Sequence, residues 1–373
     1  MNVGIDNMVE IGLLDADAGD CILISYGEDK ISHILVDGGD TNTGSIVKKL
    51  IEEIHHKNEM IEAVILTHID KDHINGVLSG IQQCEESVLQ GTIGRIYFNT
   101  SKGIERELHL QEKSAELIEE NIEVKAASCA YGVGEAVSLM ALLGKKKLKN
   151  RLIDYVVMGE TIELENNAVL KVISPGEKEL KELYYHWEND ESKEKLAYAT
   201  NSENIRKDID ELQKEKWGSS TSVNNASSIA CLFEYEDIKL ALLADSKSTV
   251  CLKGIKIFGV EKYRANLLKI AHHGSNGNTS KKLLDVFETN KFLLSTNGHG
   301  GKVPSKVLVS HLLKVKGKIE IYCNNPWWSN VYNNKYLTTK DQEKYEKSGL
   351  LKLVELTNEK VSIGEDLSLY GER

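Results

Sequence analysis

Short apolar runs alternate with amphipathic stretches through the first hundred residues. Val9–Leu14, Cys21–Tyr26 and Ser32–Val36 have strand length, and the polar segment DADAGD at Asp15–Asp20 separates the first two. In Ser45–Ile54, the residues Ile46, Val47, Leu50, Ile51 and Ile54 recur at helical spacing, which predicts an amphipathic helix with Thr43 as its N-cap. Ala63–Leu66 and Arg95–Phe98 read as further strands, with a helix expected from Ile74 onward between them. Residues 101–222 break this rhythm. They predict helices over Glu105–Glu120 and Ala136–Lys149, a strand at Val169–Ser174, and one or two exposed helices in the Glu-, Lys- and Asp-rich stretch 177–216. Strand character returns at Ser227–Tyr235 and Lys239–Ala244 around a turn at Glu236–Asp237. Strands at Leu267–Ala271, Lys291–Leu294 and Lys318–Cys323 then alternate with helices at Lys281–Glu288 and Ser305–Leu313, and Leu350–Glu355 and Lys360–Ile363 are expected to close the last sheet as a hairpin. Such alternation predicts an α/β fold.

Composition narrows this picture. A chain of 373 residues, 41% hydrophobic and 28% charged, can bury a large core as one α/β domain or two. No apolar run reaches the roughly 18 residues of a membrane-spanning helix, and MNVGIDNMVE has neither a basic start nor an apolar h-region. The six cysteines are scattered without a C-x-x-C pair, which argues against a thiolate zinc site and suits a cytoplasmic protein. A net charge of −11 opposes broad attraction to nucleic acid or anionic membrane. It leaves room for a nuclease whose metals and a few local lysines bind phosphate. The run KKKLKNR at Lys145–Arg151 is either such a patch or a solvated helix end.

The chemistry concentrates where apolar runs stop. HILV ends at Asp37, VILT at His68, LALLA at Asp245, LLKIA at His272, and FLLS runs into the TNGH turn at His299. In alternating α/β architectures ligands collect outside the carboxyl ends of strands, so these termini are expected to face one crevice. The densest is THIDKDH at Thr67–His73. Four such groups make sense together only if a cation offsets the carboxylates. They cannot share one helix face, and a tight turn would fan His68, Asp70, Asp72 and His73 around two adjacent ions. Asp245 is a natural bridging carboxylate, and His272 or His273 a natural closing ligand. Two metals about 3.5–4 Å apart activate a water between them and stabilise both oxygens of a displacement. Plainer roles stand beside these: Asp245 as a helix N-cap, Asp37 before Gly38–Gly39 as turn chemistry, Asp17 and Asp20 as turn residues, and Trp327–Trp328 as core packing.

His68-x-Asp70-x-Asp72-His73 resembles the H-x-H-x-D-H signature of the metallo-β-lactamase superfamily, with Asp70 replacing the second histidine. DADAGDCILI, ILVDGGD, VNNASSIACL, LLADS, IAHHGS and STNGHGGKVPS follow one another in an order similar to the metallohydrolase domain of the DNA-uptake protein ComEC and its soluble stand-alone relatives. This resemblance covers residues 9–100 and 223–323. It implies a single domain over 1–373, a four-layer αββα sandwich with a mostly helical insertion at 101–222, and a dinuclear site at one edge. By the same resemblance His68 and Asp70 belong to the first metal, Asp72 and His73 to the second, and Asp245 bridges. One of His272 and His273 completes the second site, Asn225 stands in place of the third histidine of the first, and Asp37 orients the site from behind. Asp70 and Asn225 make the first site richer in oxygen, which favours manganese, with zinc next and magnesium a third candidate.

An aspartate at the bridge resembles the phosphodiesterase and nuclease branches. The implied activity is therefore hydrolysis of a phosphodiester in DNA or RNA by a metal-activated water held by Asp72 and Asp245. His299, on a glycine-rich turn, would contact a phosphoryl oxygen or protonate the leaving alkoxide, and Ser275, Lys302 and Ser305 are candidate phosphate contacts. Two alternatives use the same residues: hydrolysis of a small ester, lactone or cyclic nucleotide, and a partner-gated subunit of a multi-protein, defence-type system that docks through 177–216.

Overall fold

The computed structural model describes residues 9–110, 132–188, 204–219, 221–298, 303–329, 336–356, 360–363 and 369–371. Two eight-stranded sheets form its centre. In the first, β1 (Val9–Leu13), β2 (Ile22–Tyr26) and β3 (Ser32–Val36) make an antiparallel meander, which continues in parallel through β4 (Met60–Ile65), β5 (Ile93–Tyr97) and β6 (Leu152–Ile153). The second repeats the scheme. Antiparallel β7 (Thr161–Glu163), β8 (Val169–Ser174), β9 (Ala230–Tyr235) and β10 (Ile238–Leu242) lead into parallel β11 (Leu267–Lys269), β12 (Lys291–Leu294), β13 (Ile319–Cys323) and β14 (Leu351–Glu355).

Successive strand residues point to opposite faces, and the burial follows that period. Ile22, Ile24, Ile34 and Val36 pack on Cys231, Phe233, Leu240 and Leu242 of the other sheet. Leu23 and Leu35 face outward onto helices α1 (Gly44–His56), α2 (Lys71–Gln83), α3 (Glu86–Thr92), α5 (Val133–Lys145) and α6 (Glu177–Glu188), with α4 (Ser101–Glu107) preceding α5 in the chain. On the far side, Leu232, Ala241, Leu268 and Phe292 pack on α9 (Ser248–Ile257), α10 (Lys281–Val286) and α11 (Lys306–Lys316). Two short helices, α7 (Ile209–Leu212) and α8 (Val223–Ala226), precede that layer. The layers thus run helix, sheet, sheet, helix, which is the αββα sandwich. Strands covered on both faces read as continuous apolar runs, which is why these ones stood out in the sequence.

Several local expectations are corrected. Leu351–Glu355 and Lys360–Ile363 do not form a hairpin: the first pairs with β13, and the second, β15, pairs with β1 and with β16 (Leu369–Gly371) in the other sheet. An apolar strand can add to either open edge, and its sequence does not say which. Of the helix expected over Glu105–Glu120, Glu105–Glu107 form the end of α4, His109–Leu110 have left the helix, and 111–120 lie outside the described residues. Thr43 stands at the N-cap position of α1 but makes no side-chain capping bond, and Asp40 caps the short 3-10 turn Thr41–Thr43 before it, accepting from Thr41 N. The segment 101–222 is also more than helical, since it supplies β6, β7 and β8 to the two sheets. Its charged helix α6 buries Leu180, Leu183 and Tyr184 against the first helical layer, and 189–203 lie outside the described residues.

Two residues of the basic run at 145–151 cap helix ends. Lys146 donates to the carbonyl of Cys84, and Arg151 to those of Gln90 and Ile93, where α2 and α3 leave carbonyls unpaired. Cys21, Cys84, Cys231, Cys251 and Cys323 are buried and unpaired, and Cys129 lies outside the described residues. Trp327 is core, its Nε1 donating to Cys323 Sγ. Among the described residues no helix is long and apolar enough to cross a membrane.

Candidate metal centre

Strand ends from both sheets meet at one edge of the sandwich. The end of β3 carries Asp37, β4 leads to Thr67 and His68, β10 to Asp245, and β11 to His272 and His273. The backbone turns sharply at these points. Asp37 (φ 58°), Ala244 (φ 47°), His272 (φ 50°) and His273 (φ 50°) all adopt the left-handed conformation, which costs a non-glycine residue of order 1–3 kcal/mol and persists where surrounding structure enforces it. Helix α2 starts at Lys71 rather than at Ile74, so Asp70 holds the N-cap position and Asp72 and His73 lie in the first turn. Glycine makes that placement possible. A Cβ on Gly76 would stand 1.7 Å from Gly38 O, and one on Gly19 1.6 Å from Asp72 O. The close approach lets Gly38 N donate to His73 O and Gly76 N to Gly39 O, which clamps the first turn of α2 to the end of β3.

Four histidines are each held by Nδ1 from outside. His68 Nδ1 lies 2.9 Å from Thr67 Oγ1, His73 Nδ1 2.8 Å from Asp37 Oδ2, His272 Nδ1 2.9 Å from Asn278 Oδ1, and His273 Nδ1 3.0 Å from Ser295 O. Every Nε2 therefore faces inward. Asp245 Oδ2 stands at the centre, 4.0 Å from Nε2 of His68, 3.6 Å from that of His73, 3.7 Å from that of His272 and 3.6 Å from that of His273. Asp70 Oδ2 is 3.6 Å from His68 Nε2, and Asp72 Oδ2 is 3.5 Å from His273 Nε2. Donors about 2.1 Å from a tetrahedrally bound ion stand about 3.4 Å apart, so these separations suit neighbours in one coordination sphere.

Two groups of candidate ligands meet at His73. His68, His73 and Asp245 offer donors within 4.8 Å of one another, and so do Asp72, His73 and His273. Both His272 and His273 bring Nε2 close to Asp245 Oδ2, at 3.7 and 3.6 Å. The two consecutive left-handed residues aim both rings the same way, which alternation along a strand would forbid. Asn225 meets His272 (Nδ2 to Nε2, 3.2 Å), while Asn224 Nδ2 donates to Asp70 at 2.6 Å. Ser305 is the N-cap residue of α11, buried behind the histidine loop with its N–H donating to Gly274 O, and Ser275 is half-buried beside it. His299 and Lys302 lie outside the described residues.

A cation fits this donor set. Among the described residues, His68 Nε2, Asp245 Oδ1, Asn224 Oδ1 and Asn225 Oδ1 are buried and lack a hydrogen-bond partner, although such groups are normally satisfied. The field has the matching sign. Burial resists charging His73, yet Asp245, Asp37 and Asp72 outweigh it and raise its pKa well above the usual imidazole value. Burial likewise resists ionising Asp245, and His273, His272 and His73 outweigh it, holding the carboxyl well below its usual range. Asp72 is lowered too, burial being overcome by His73 and His273. A field that favours positive charge at the His73 imidazole also draws a divalent ion.

Asp37 stands behind the ring of His73. Buried completely, it accepts from Thr67 N at 2.8 Å, Thr67 Oγ1 at 2.7 Å and His73 Nδ1, so it is no turn residue alone. Asp20 and Lys269 were missed. Of the two aspartates given turn roles, Asp17 is exposed in a turn, but Asp20 is buried in an ion pair with Lys269, its Oδ1 lying 3.5 Å from His273 Nδ1. The signal was a lysine inside the apolar run LLKIA, a position that buries a charge and so demands a partner.

No family model and no curated protein matches the chain. Solved structures similar to it include a protein from Parabacteroides distasonis assigned by name only as a metal-dependent hydrolase (8% identity, 84% of this chain and 93% of that one, TM-score 0.37). Others are the metallo-β-lactamase MIM-1 from Novosphingobium pentaromativorans (11%, 89% and 91%, TM-score 0.33) and MEM-A1, a subclass B3 metallo-β-lactamase from a soil metagenome library (9%, 89% and 100%, TM-score 0.31). Likeness at that level carries no chemistry across. The αββα architecture stands on the strand order and the layer packing of this chain itself.

Proposed function

We propose that this chain is a metal-dependent hydrolase with a dinuclear centre, and that its substrate is a phosphodiester, in the first instance a nucleic-acid strand. The observation that carries this is Asp245 Oδ2 surrounded by four outward-anchored imidazoles. When bound, two divalent ions supply Lewis acidity toward the phosphoryl oxygens and an activated water. Asp72, the most exposed of the site carboxylates named, would hold and orient that water. Asp245 keeps the two halves of the site in register. An oxygen-rich first half built from Asp70, Asn224 and Asn225, with an aspartate at the bridge, supports hard cations and phosphoryl chemistry, manganese before zinc. The ComEC-like order of motifs supports the same substrate class. His299 is placed in this proposal as the acid for the leaving alkoxide, with Ser275 and Lys302 contacting phosphate; Ser305, buried behind the histidine loop, takes no part.

The test is reconstitution of metal-stripped protein with Mn²⁺, Mg²⁺ or Zn²⁺, followed by turnover of plasmid, single-stranded RNA, bis-p-nitrophenyl phosphate and a lactone panel. Phosphodiester cleavage lost in Asp72→Ala is the expected result. Lactone turnover with no phosphodiester cleavage would replace this substrate class by the ester reading. Cleavage that appears only with a second protein would point to gating; α6 packs on α8, which carries Asn224 and Asn225, and so links the insertion to the site.

A further inference from the structure

The bridging carboxylate has two sides. Its Oδ2 faces the four imidazoles, while Oδ1 faces inward and lies 3.8 Å from Lys269 Nζ. Lys269 is 1% exposed, donates to Ala244 O at 3.2 Å, and forms its close ion pair with Asp20, also 1% exposed. Asp20 in turn reaches the ring of His273, on the Nδ1 side. Charged pairs this deep rarely gain stability over an apolar pair of the same size, so another role is needed to account for it.

Charge supplies that role. Asp20, Asp37, Asp70, Asp72 and Asp245 are joined through the histidines and Lys269 into one cluster. With neutral imidazoles, five carboxylates and one ammonium leave a charge of four negative units, which two divalent ions neutralise. One ion would leave a buried excess, and a third has no charge to meet.

We infer that the Lys269–Asp20 pair is a built-in positioning device for the metal centre. Its ammonium turns Asp245 so that a single oxygen faces the histidines, and Asp20 keeps that ammonium from competing for Asp245 as a ligand. This inference rests on the two-cation centre proposed above. It makes a prediction that simple structural packing does not: the two residues act oppositely on metal binding. In Asp20→Asn, Lys269 keeps Asp245 as the one carboxylate within 4.0 Å among the described residues and opposes the cations. In the double variant Lys269→Met/Asp20→Asn the competitor is gone and four carboxylates again balance two divalent ions.

The experiment measures metal content by mass spectrometry and Mn²⁺ and Zn²⁺ affinity by chelator competition, with thermal melts of metal-free and loaded protein. Asp20→Asn is expected to weaken the second metal by roughly 10–100-fold, the usual range for outer partners of a metal site, and the double variant to recover most of that loss. Lys269→Met is expected to melt lower than the wild type when metal-free and to regain more on loading. Equal second-metal affinity in wild type and Asp20→Asn, or a double variant no better than Asp20→Asn, overturns the inference. A wild-type protein that takes up no divalent ion would instead remove the metal-centre reading itself. If Lys269→Met fails to fold, Asp20→Asn and the double variant still decide.

Discussion

The interaction between Asp37 and His73 gives the sharpest single perturbation. Asp37→Asn keeps the size and shape of the side chain but replaces an acceptor by an amide. Thr67 N can still donate to the remaining oxygen, 2.8 Å away, whereas the NH₂ faces His73 Nδ1 and Thr67 Oγ1 in place of Oδ2. Two donors cannot face each other, so the imidazole proton must move from Nδ1 to Nε2, the atom that points at Asp245 Oδ2 3.6 Å away. A protonated Nε2 cannot ligate. The expected loss is roughly 10–100-fold in metal affinity, as for other outer partners, with a cost in fold stability of about 1–3 kcal/mol for one misfitted buried hydrogen bond. Asp37→Ala is the contrast. It leaves three buried donors unsatisfied, at about 1–3 kcal/mol each, and should lower the urea midpoint much further. Chelator competition and urea melts on both variants separate the two effects. If Asp37→Asn bound Mn²⁺ and Zn²⁺ within threefold of the wild type, the proposed control of the His73 tautomer would be wrong.

Three further outcomes follow from particular contacts. Gly19→Ala puts a methyl into Asp72 O and should lower both Tm and metal retention; an unchanged metal content after dialysis would refute the close approach of the 15–20 loop to α2. Lys306→Met breaks the buried 2.7 Å pair with Asp341 and the bonds to Ile205 O and Lys207 O, which should cost roughly 3–5 kcal/mol, read by urea unfolding; a change under about 1 kcal/mol would mean that Asp341 is satisfied without it. Glu62 is partly buried and its pKa is pushed up to about 7, by burial first, against a backbone N–H from Glu165 that lowers it. The folded state therefore holds a proton that the unfolded chain has released, and stability falls as pH rises from about 4.5 to about 7. Glu62→Gln should flatten that decline in Tm, and parallel profiles for both proteins would show that Glu62 does not titrate there.

Much of the architecture was legible because burial on both faces writes itself as apolar runs: Ser32–Val36, Val169–Ser174 and Lys291–Leu294 match their strands residue for residue. The candidate ligands were legible because polar groups cut those runs short at His68, Asp245 and His272. Three things were decided only by the tertiary structure. Strand partners came first: Lys360–Ile363 joins β1 rather than its neighbour β14, since edge pairing depends on which edge lies open in space. Ring direction came second, because left-handed turns at His272 and His273 send both imidazoles to Asp245, and local sequence seldom encodes a left-handed residue that is not glycine. Last came the pairing of Asp20 with Lys269, separated by most of the chain. A charge can be seen to need a counter-charge in sequence, but only packing chooses which one it gets.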